Sequence, residues 1–121
     1  MRVRKLTSAD RDWIAVGDQQ IFVNDLIDEA GAPDARMTVG FARVGKGESM
    51  DISFPYDEVL VITSGSYAVR TEDGEVLTAG PGEVIYLPGG SSNASWANED
   101  TTMVYVANPP DVYAEHVRAA G

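Results

Sequence analysis

Short runs of β-branched and aromatic residues alternate with polar positions along most of this chain, and each run stops at Gly, Pro, Asn or Asp. The pattern predicts strands over Ile21–Ile27, Met37–Val44, Met50–Phe54, Glu58–Thr63, Ser66–Thr71, Glu75–Thr78, Glu83–Leu87, Ser92–Trp96 and Thr101–Ala107. Glu72-Asp73-Gly74-Glu75 reads as a hairpin turn, because Asp-Gly readily adopts positive φ. Gly80-Pro81-Gly82 and Pro88-Gly89-Gly90 are further breaks, and Asp28–Arg36 is expected to be a surface loop. Helical spacing is confined to Asp111–Ala120, where Tyr113, Val117 and Ala120 share a face, and to one turn at Asp10-Arg11-Asp12-Trp13. The expected fold class is therefore all-β, a sandwich or closed barrel with a short C-terminal helix. At 121 residues, positions 1–121 form a single domain with no room for a second.

Composition narrows the function more by exclusion than by indication. With no cysteine, disulfides, thiolate catalysis and cysteine zinc sites are unavailable. A net charge of −10 repels phosphate backbones and anionic lipid, so neither a nucleic-acid nor a membrane partner is expected. The basic start, Met1-Arg2-Val3-Arg4-Lys5, leads into a polar stretch instead of an apolar one, which points to a cytoplasmic protein without a secretory signal. No phosphate-cradling loop precedes a helix, and no histidine lies near a serine to activate it.

Two windows carry spaced residues. The first runs Gly45, five residues, Asp51, one residue, Ser53, four residues, Glu58, six residues, Gly65. The second runs Gly82, five residues, Pro88, one residue, Gly90, two residues, Asn93. This skeleton resembles the two cupin motifs, and the resemblance, over Met37 to Ala107, implies a double-stranded β-helix or jelly-roll barrel. In that family the positions of Asp51, Ser53 and Asn93 are usually histidines and that of Glu58 is usually glutamate. A transition-metal site of imidazoles with one carboxylate is thus not expected, and no cofactor is assigned. A hard cation held by Asp51 and Glu58 with waters stays open. His116, the sole histidine, lies far along the chain from both windows and is expected to be a solvated surface side chain.

Glu58 begins the otherwise apolar run Val59-Leu60-Val61-Ile62, sharing parity with Leu60 and Ile62. If that face is the barrel interior, desolvation disfavours the charged carboxylate, and a nearby Asp51 adds like-charge repulsion. Such a pair can act as general acid and base, or hydrogen-bond an amine or hydroxyl of a ligand. Glu58 and Asp51 are therefore the candidate catalytic residues. Candidate binding residues are Ser53 and Asn93 from the motifs, Tyr56 at the pocket mouth, Ser95 on the face of Asn93, Ile85 in an apolar wall, and the strand aromatic Tyr105.

Within the cupins, Pro55-Tyr56-Asp57-Glu58, Gly65, the run Ala79–Ser92 and Val104-Tyr105-Val106-Ala107-Asn108-Pro109-Pro110 are similar to the ethanolamine-utilisation EutQ-type proteins. That subgroup also lacks the usual histidines; the resemblance implies an acidic pocket, a place beside a microcompartment and an acetate-kinase-like phosphotransfer. The expected function is a small-molecule-binding cupin, metal-independent, with acid/base chemistry or polar-ligand binding in its pocket. A non-catalytic structural or sensory module, and a metal-dependent isomerase, cyclase or dehydratase with rearranged ligands, are the alternatives. Val59 and Val61 on the face opposite Glu58 also need cover, so a homodimer is expected.

Overall fold

The computed structural model describes residues 3–28 and 31–120. These form ten strands and one helix: β1 Ile14–Ala15, β2 Ile21–Ile27, β3 Thr38–Val44, β4 Ser49–Asp51, β5 Asp57–Ser64, β6 Tyr67–Arg70, β7 Val76–Ala79, β8 Val84–Leu87, β9 Ala94–Ala97, β10 Thr101–Asn108 and α1 Pro110–Ala120. A six-stranded sheet, in the order β1-β2-β3-β10-β5-β8, faces a four-stranded sheet, β4-β9-β6-β7, and every pairing is antiparallel. This is the jelly-roll arrangement expected of an all-β chain. No helix is long and apolar enough to cross a membrane among the described residues.

Alternation decides which side chains enter the core. Thr38, Gly40, Ala42 and Val44 of β3, Glu58, Leu60 and Ile62 of β5, Ile85 and Leu87 of β8, and Met103, Tyr105 and Ala107 of β10 are all buried. Tyr67 and Val69 of β6 and Ser95 and Ala97 of β9 meet them from the opposite sheet. The expected Asp-Gly hairpin joins β6 to β7: the Gly74 amide donates to the Thr71 carbonyl at 3.0 Å, and Gly74 has a φ of 89°.

The outer face of the larger sheet is covered on one side only. Over β2 and β3 lies the N-terminal arm: the buried Asn24 amide donates to the Ser8 and Arg11 carbonyls at 2.9 and 3.0 Å. The Arg43 guanidinium sits 3.9 Å over the Trp13 ring. Beyond the arm, two apolar rows cross four strands in register. Phe41, Val104, Val61 and Val84 make one; Val39, Val106, Val59 and Tyr86 make the other. Val84 and Tyr86 at the β8 edge are 58% and 60% exposed.

Three local expectations are corrected. The turn at Asp10–Trp13 is not helical: Asp10 closes on Thr7, its amide donating to the Thr7 carbonyl at 3.0 Å and its carboxylate accepting the Thr7 amide, and the chain runs on to β1, a strand too short to carry a periodic signal. Strand β4 stops at Asp51 instead of continuing to Phe54, because the Asp51 carboxylate accepts the Ser53 amide at 3.0 Å and bends the chain. Likewise β9 begins at Ala94, since the Asn93 amide is taken by the Ser53 hydroxyl at 2.9 Å. Glu29 and Ala30, in the expected loop Asp28–Arg36, lie outside the described residues; Asp28 before them pairs with Arg11 at 3.0 Å.

Gly40 stands opposite Asp25 on one side and Tyr105 on the other. A Cβ there would run into the Tyr105 phenol and come within 2.6 Å of the Asn24 carbonyl oxygen. Gly40→Ala is expected to destabilise the fold by about 1–3 kcal/mol, the usual range for overpacking. Urea unfolding measures it, and wild-type stability in the variant would contradict this packing.

Candidate functional site

Strand β5 delivers Glu58 to the interior because its parity matches the core residues Leu60 and Ile62. In register across the sheet, Glu58 lies in the row Thr38, Ala107, Glu58, Leu87. It is 6% exposed, and its carboxyl makes no hydrogen bond among the described residues. Burial pushes its pKa up to about 8, and the charge of Asp25 adds to the rise. At neutral pH Glu58 is therefore mostly a protonated acid. In the same row the Thr38 hydroxyl is enclosed without a partner.

The second interior carboxylate, half-buried, comes from β2. Asp25 Oδ1 accepts a hydrogen bond from the Tyr105 phenol of β10 and another from the Tyr113 phenol of α1, the latter at 2.8 Å. Gly40 leaves the Tyr105 ring room to cross β3 to reach it. Burial, more than any other cause, raises the pKa of Tyr105 and of Tyr113, so both stay protonated donors through the physiological range.

Aromatic rings line the end of the barrel beneath α1. Phe54 stacks on Tyr56 with ring centres 4.9 Å apart, Tyr113 meets Tyr56 edge-on at 5.3 Å, and His116 meets Phe54 and Tyr56 edge-on at 5.5 and 5.6 Å. Tyr56 is buried, and its pKa rises through burial first and the Glu58 charge second. On the opposite sheet the Ser95 hydroxyl donates to the Met50 carbonyl at 2.7 Å, so the Tyr67 phenol is the donor in its 2.6 Å bond to Ser95. The Glu58 charge also acts on Tyr67, whose pKa is raised chiefly by burial.

Of the residues expected from sequence, Glu58, Tyr56 and Tyr105 come together in this interior, and Ile85 packs in the core beside them. Ser95 is buried and reaches the group through Tyr67. Asp51 is not the neighbour of Glu58: it is exposed, and the carboxylate whose charge acts on Glu58 is Asp25. Along this segment the positions packed on the core are Met50, Ile52, Phe54 and Tyr56, so alternation turns Asp51 and Ser53 outward. They line a crevice of about 430 Å³ with Asn93, Ser95, Arg70 and Glu72. His116 is also corrected, from a solvated side chain to a half-buried one wedged against Phe54 and Tyr56.

Sequence reasoning missed Asp25, Tyr113 and Tyr67. Asp25 carried a usable signal: it interrupts an apolar strand at the parity of Ile21 and Val23. Tyr113 stood out only as part of a helical stripe, and nothing local linked it to Asp25, 88 residues away.

Glu58 is not brought together with the other motif positions, Asp51, Ser53 and Asn93. Asp51 and Ser53 are exposed, Glu58 is interior, and the four side chains offer only oxygen and amide groups. No group of three or more carboxylate or imidazole side chains comes together among the described residues.

Comparison with known proteins places this chain in a family. Residues 3–114 match the family model of ethanolamine utilisation protein EutQ. A structure assigned to ethanolamine utilization protein Q of Salmonella typhimurium LT2 is 29% identical, with 74% of this chain and 70% of that one covered at a TM-score of 0.67. A protein of unknown function from Rhizobium leguminosarum is 30% identical, covering 90% of this chain and 99% of that one at a TM-score of 0.73. An RmlC-like cupin from Shewanella frigidimarina, 11% identical over 89% of this chain and 92% of that one, shares the fold at a TM-score of 0.72. No curated protein matches the sequence. With the barrel, the motif spacing and the matched length in agreement, this chain belongs to the EutQ family of cupin-fold proteins.

Proposed function

We propose that this protein is a metal-independent cupin that binds a small polar molecule in the barrel interior and exchanges a proton or hydrogen bond with it through Glu58. The observation that carries this reading is a glutamate only 6% exposed, set among the phenols of Tyr56 and Tyr67, whose pKa burial pushes up to about 8. Burial of this kind disfavours the charged carboxylate, and carboxyls shifted in this way cluster at functional sites. Tyr56 and Tyr67 flank it, and Asp25 with its two phenols supplies a second polar pole. Asp51 takes no part in this acid/base role; with Ser53 and Asn93 it lines the outer crevice. No lysine or arginine is buried among the described residues to receive a phosphate, so phosphotransfer in the interior finds no support.

The elevated pKa of Glu58 also has a thermodynamic signature. A carboxyl that titrates higher folded than unfolded stabilises the fold fully at low pH, and that contribution is lost as pH rises from about 4.5 through about 8. The loss amounts to roughly 1.4 kcal/mol per unit of pKa separation. Glu58→Gln keeps the shape without the charge, so its stability relative to wild type should improve steadily across that interval. Urea unfolding of both proteins over the range checks this. A Glu58 carboxyl carbon titrating by NMR near the ordinary carboxylate range would contradict the proposal. Screening small alcohols, amides and amines by NMR is expected to move resonances of Tyr56, Tyr105 and Tyr113 in wild type and much less in Glu58→Gln. Equal responses in the two proteins would remove Glu58 from the function.

A homodimer is part of the same proposal. The two apolar rows left uncovered on β3, β10, β5 and β8 support it, because an exposed contiguous apolar face is normally an interface. Light scattering is expected to return twice the 13.0 kDa chain mass. Val84→Glu, at an exposed edge position, should halve it while leaving the fold intact, and a monomeric wild type at micromolar concentration would refute the dimer.

A further inference from the structure

We propose that α1 is a lid that swings off the end of the barrel about Pro109 and, in leaving, uncovers Glu58. The inference rests on the reading of Glu58 given above and adds the way in.

Helix and acid share one end of the barrel. Glu58 pairs with Ala107 near the close of β10, and α1 begins at Pro110. A residue only 6% exposed meets a dissolved molecule only after some wall moves. Three of its walls are strands. Ala107 of β10 and Leu87 of β8 flank it in the larger sheet, and Tyr67 of β6 lies near it in the smaller one. Each of these strands is held by a backbone ladder, so displacing one breaks several hydrogen bonds together. The stretch 52–57, which carries Phe54 and Tyr56, is tied to the loop that precedes β9. The Ile52 amide donates to the Asn93 carbonyl at 3.1 Å, the Gly90 amide to the Phe54 carbonyl at 2.8 Å, and the Gly89 amide to the Asp57 carboxylate at 2.8 Å.

The remaining wall is α1, which belongs to no ladder. It is seated by side chains. The Tyr113 phenol donates to Asp25 at 2.8 Å, Tyr113 and His116 meet Tyr56 edge-on, and Val112 packs on the core. Its far side, with Asp111, Glu115 and Val117, is exposed. Departure leaves no carboxylate stranded, because Asp25 Oδ1 also accepts the Tyr105 phenol and keeps that partner. The pivot is well defined. Asn108 is fixed by its side-chain amide, which donates to the Arg36 carbonyl at 2.7 Å, and Pro109 alone separates β10 from α1. A helix of 11 residues is marginal by itself in water, so α1 keeps its form only while seated, and undocking unwinds it.

The chain has no cysteine, so one introduced thiol reports this motion directly. In Glu58→Cys, modification by dithiodipyridine measures uncovering at the lid; in Ile62→Cys, on the same strand and 0% exposed, it measures unfolding of the barrel. The thiol at position 58 is expected to react at least tenfold faster than the one at 62. Its rate should respond weakly to low urea, because a lid exposes little surface, whereas the rate at 62 should climb steeply. Adding Tyr113→Phe should speed reaction at 58 by about tenfold, the factor carried by one hydrogen bond to a charged acceptor, with the weak urea response kept. If Glu58→Cys fails to fold, hydrogen exchange of the unaltered chain serves. The amides of α1 should then exchange together, ahead of those of β5 and β10 and with little dependence on urea. Equal rates and equal urea slopes at 58 and 62, or indifference to Tyr113→Phe, overturns the lid. The acid is judged separately by the probe screen described above. Probes that answer to Glu58 while α1 stays shut discard the lid and keep the acid. An opening helix without any Glu58-dependent probe keeps the lid and discards the acid.

Discussion

Asp25 holds three parts of the molecule in one place. One oxygen of its carboxylate receives a phenol from β10 and a phenol from α1, so the second strand, the last strand and the terminal helix meet at a single acceptor. Tyr113 is the buried anchor of the helix, with Val112 and His116 half-buried on either side of it. Gly40 is the permissive element, because any side chain there would stand where the Tyr105 ring crosses. Placement of α1 in turn brings His116 and Tyr113 against Tyr56 and Phe54, which closes the ring of aromatics above Glu58. The chemistry proposed for Glu58 thus depends on a neighbour that belongs to neither spaced motif.

The barrel was largely legible before any coordinates. Alternation located Ile21–Ile27 to the residue and most other strands to within a residue or two at each end, because one face of each is buried and the period is unambiguous. The Asp-Gly hairpin and the breaks at Gly65, Gly82 and Gly90 follow from backbone angles that a Cβ resists. Where side chains compete with the ladder for backbone amides, pattern reasoning fell short. Asp51 and Ser53 each capture an amide, and β4 and β9 are shortened accordingly.

The site was half legible. Glu58 followed from parity within one strand, a local rule. Asp51 failed as its partner because motif spacing says nothing of which way a short strand turns its faces, and here Met50, Ile52, Phe54 and Tyr56 outcompete it for the core. Asp25 and Tyr113 depend on contacts between distant segments, and those are set by sheet order and by the way α1 folds back. A charged residue at core parity inside an apolar strand is the one trace such a contact leaves in a sequence, and Asp25 has it.

The N-terminal arm has a bearing on assembly as well as on stability. By giving two backbone carbonyls to Asn24 and laying Trp13 across Arg43, it shields the β2 half of the outer surface and leaves the β10–β5–β8 half bare. In the proposed dimer a second copy would meet one side wide enough to seat it, and the arm would act as a steric fence that selects where association occurs. Changes in its length or anchoring would then redirect how copies come together while leaving the carboxyl groups of the interior untouched.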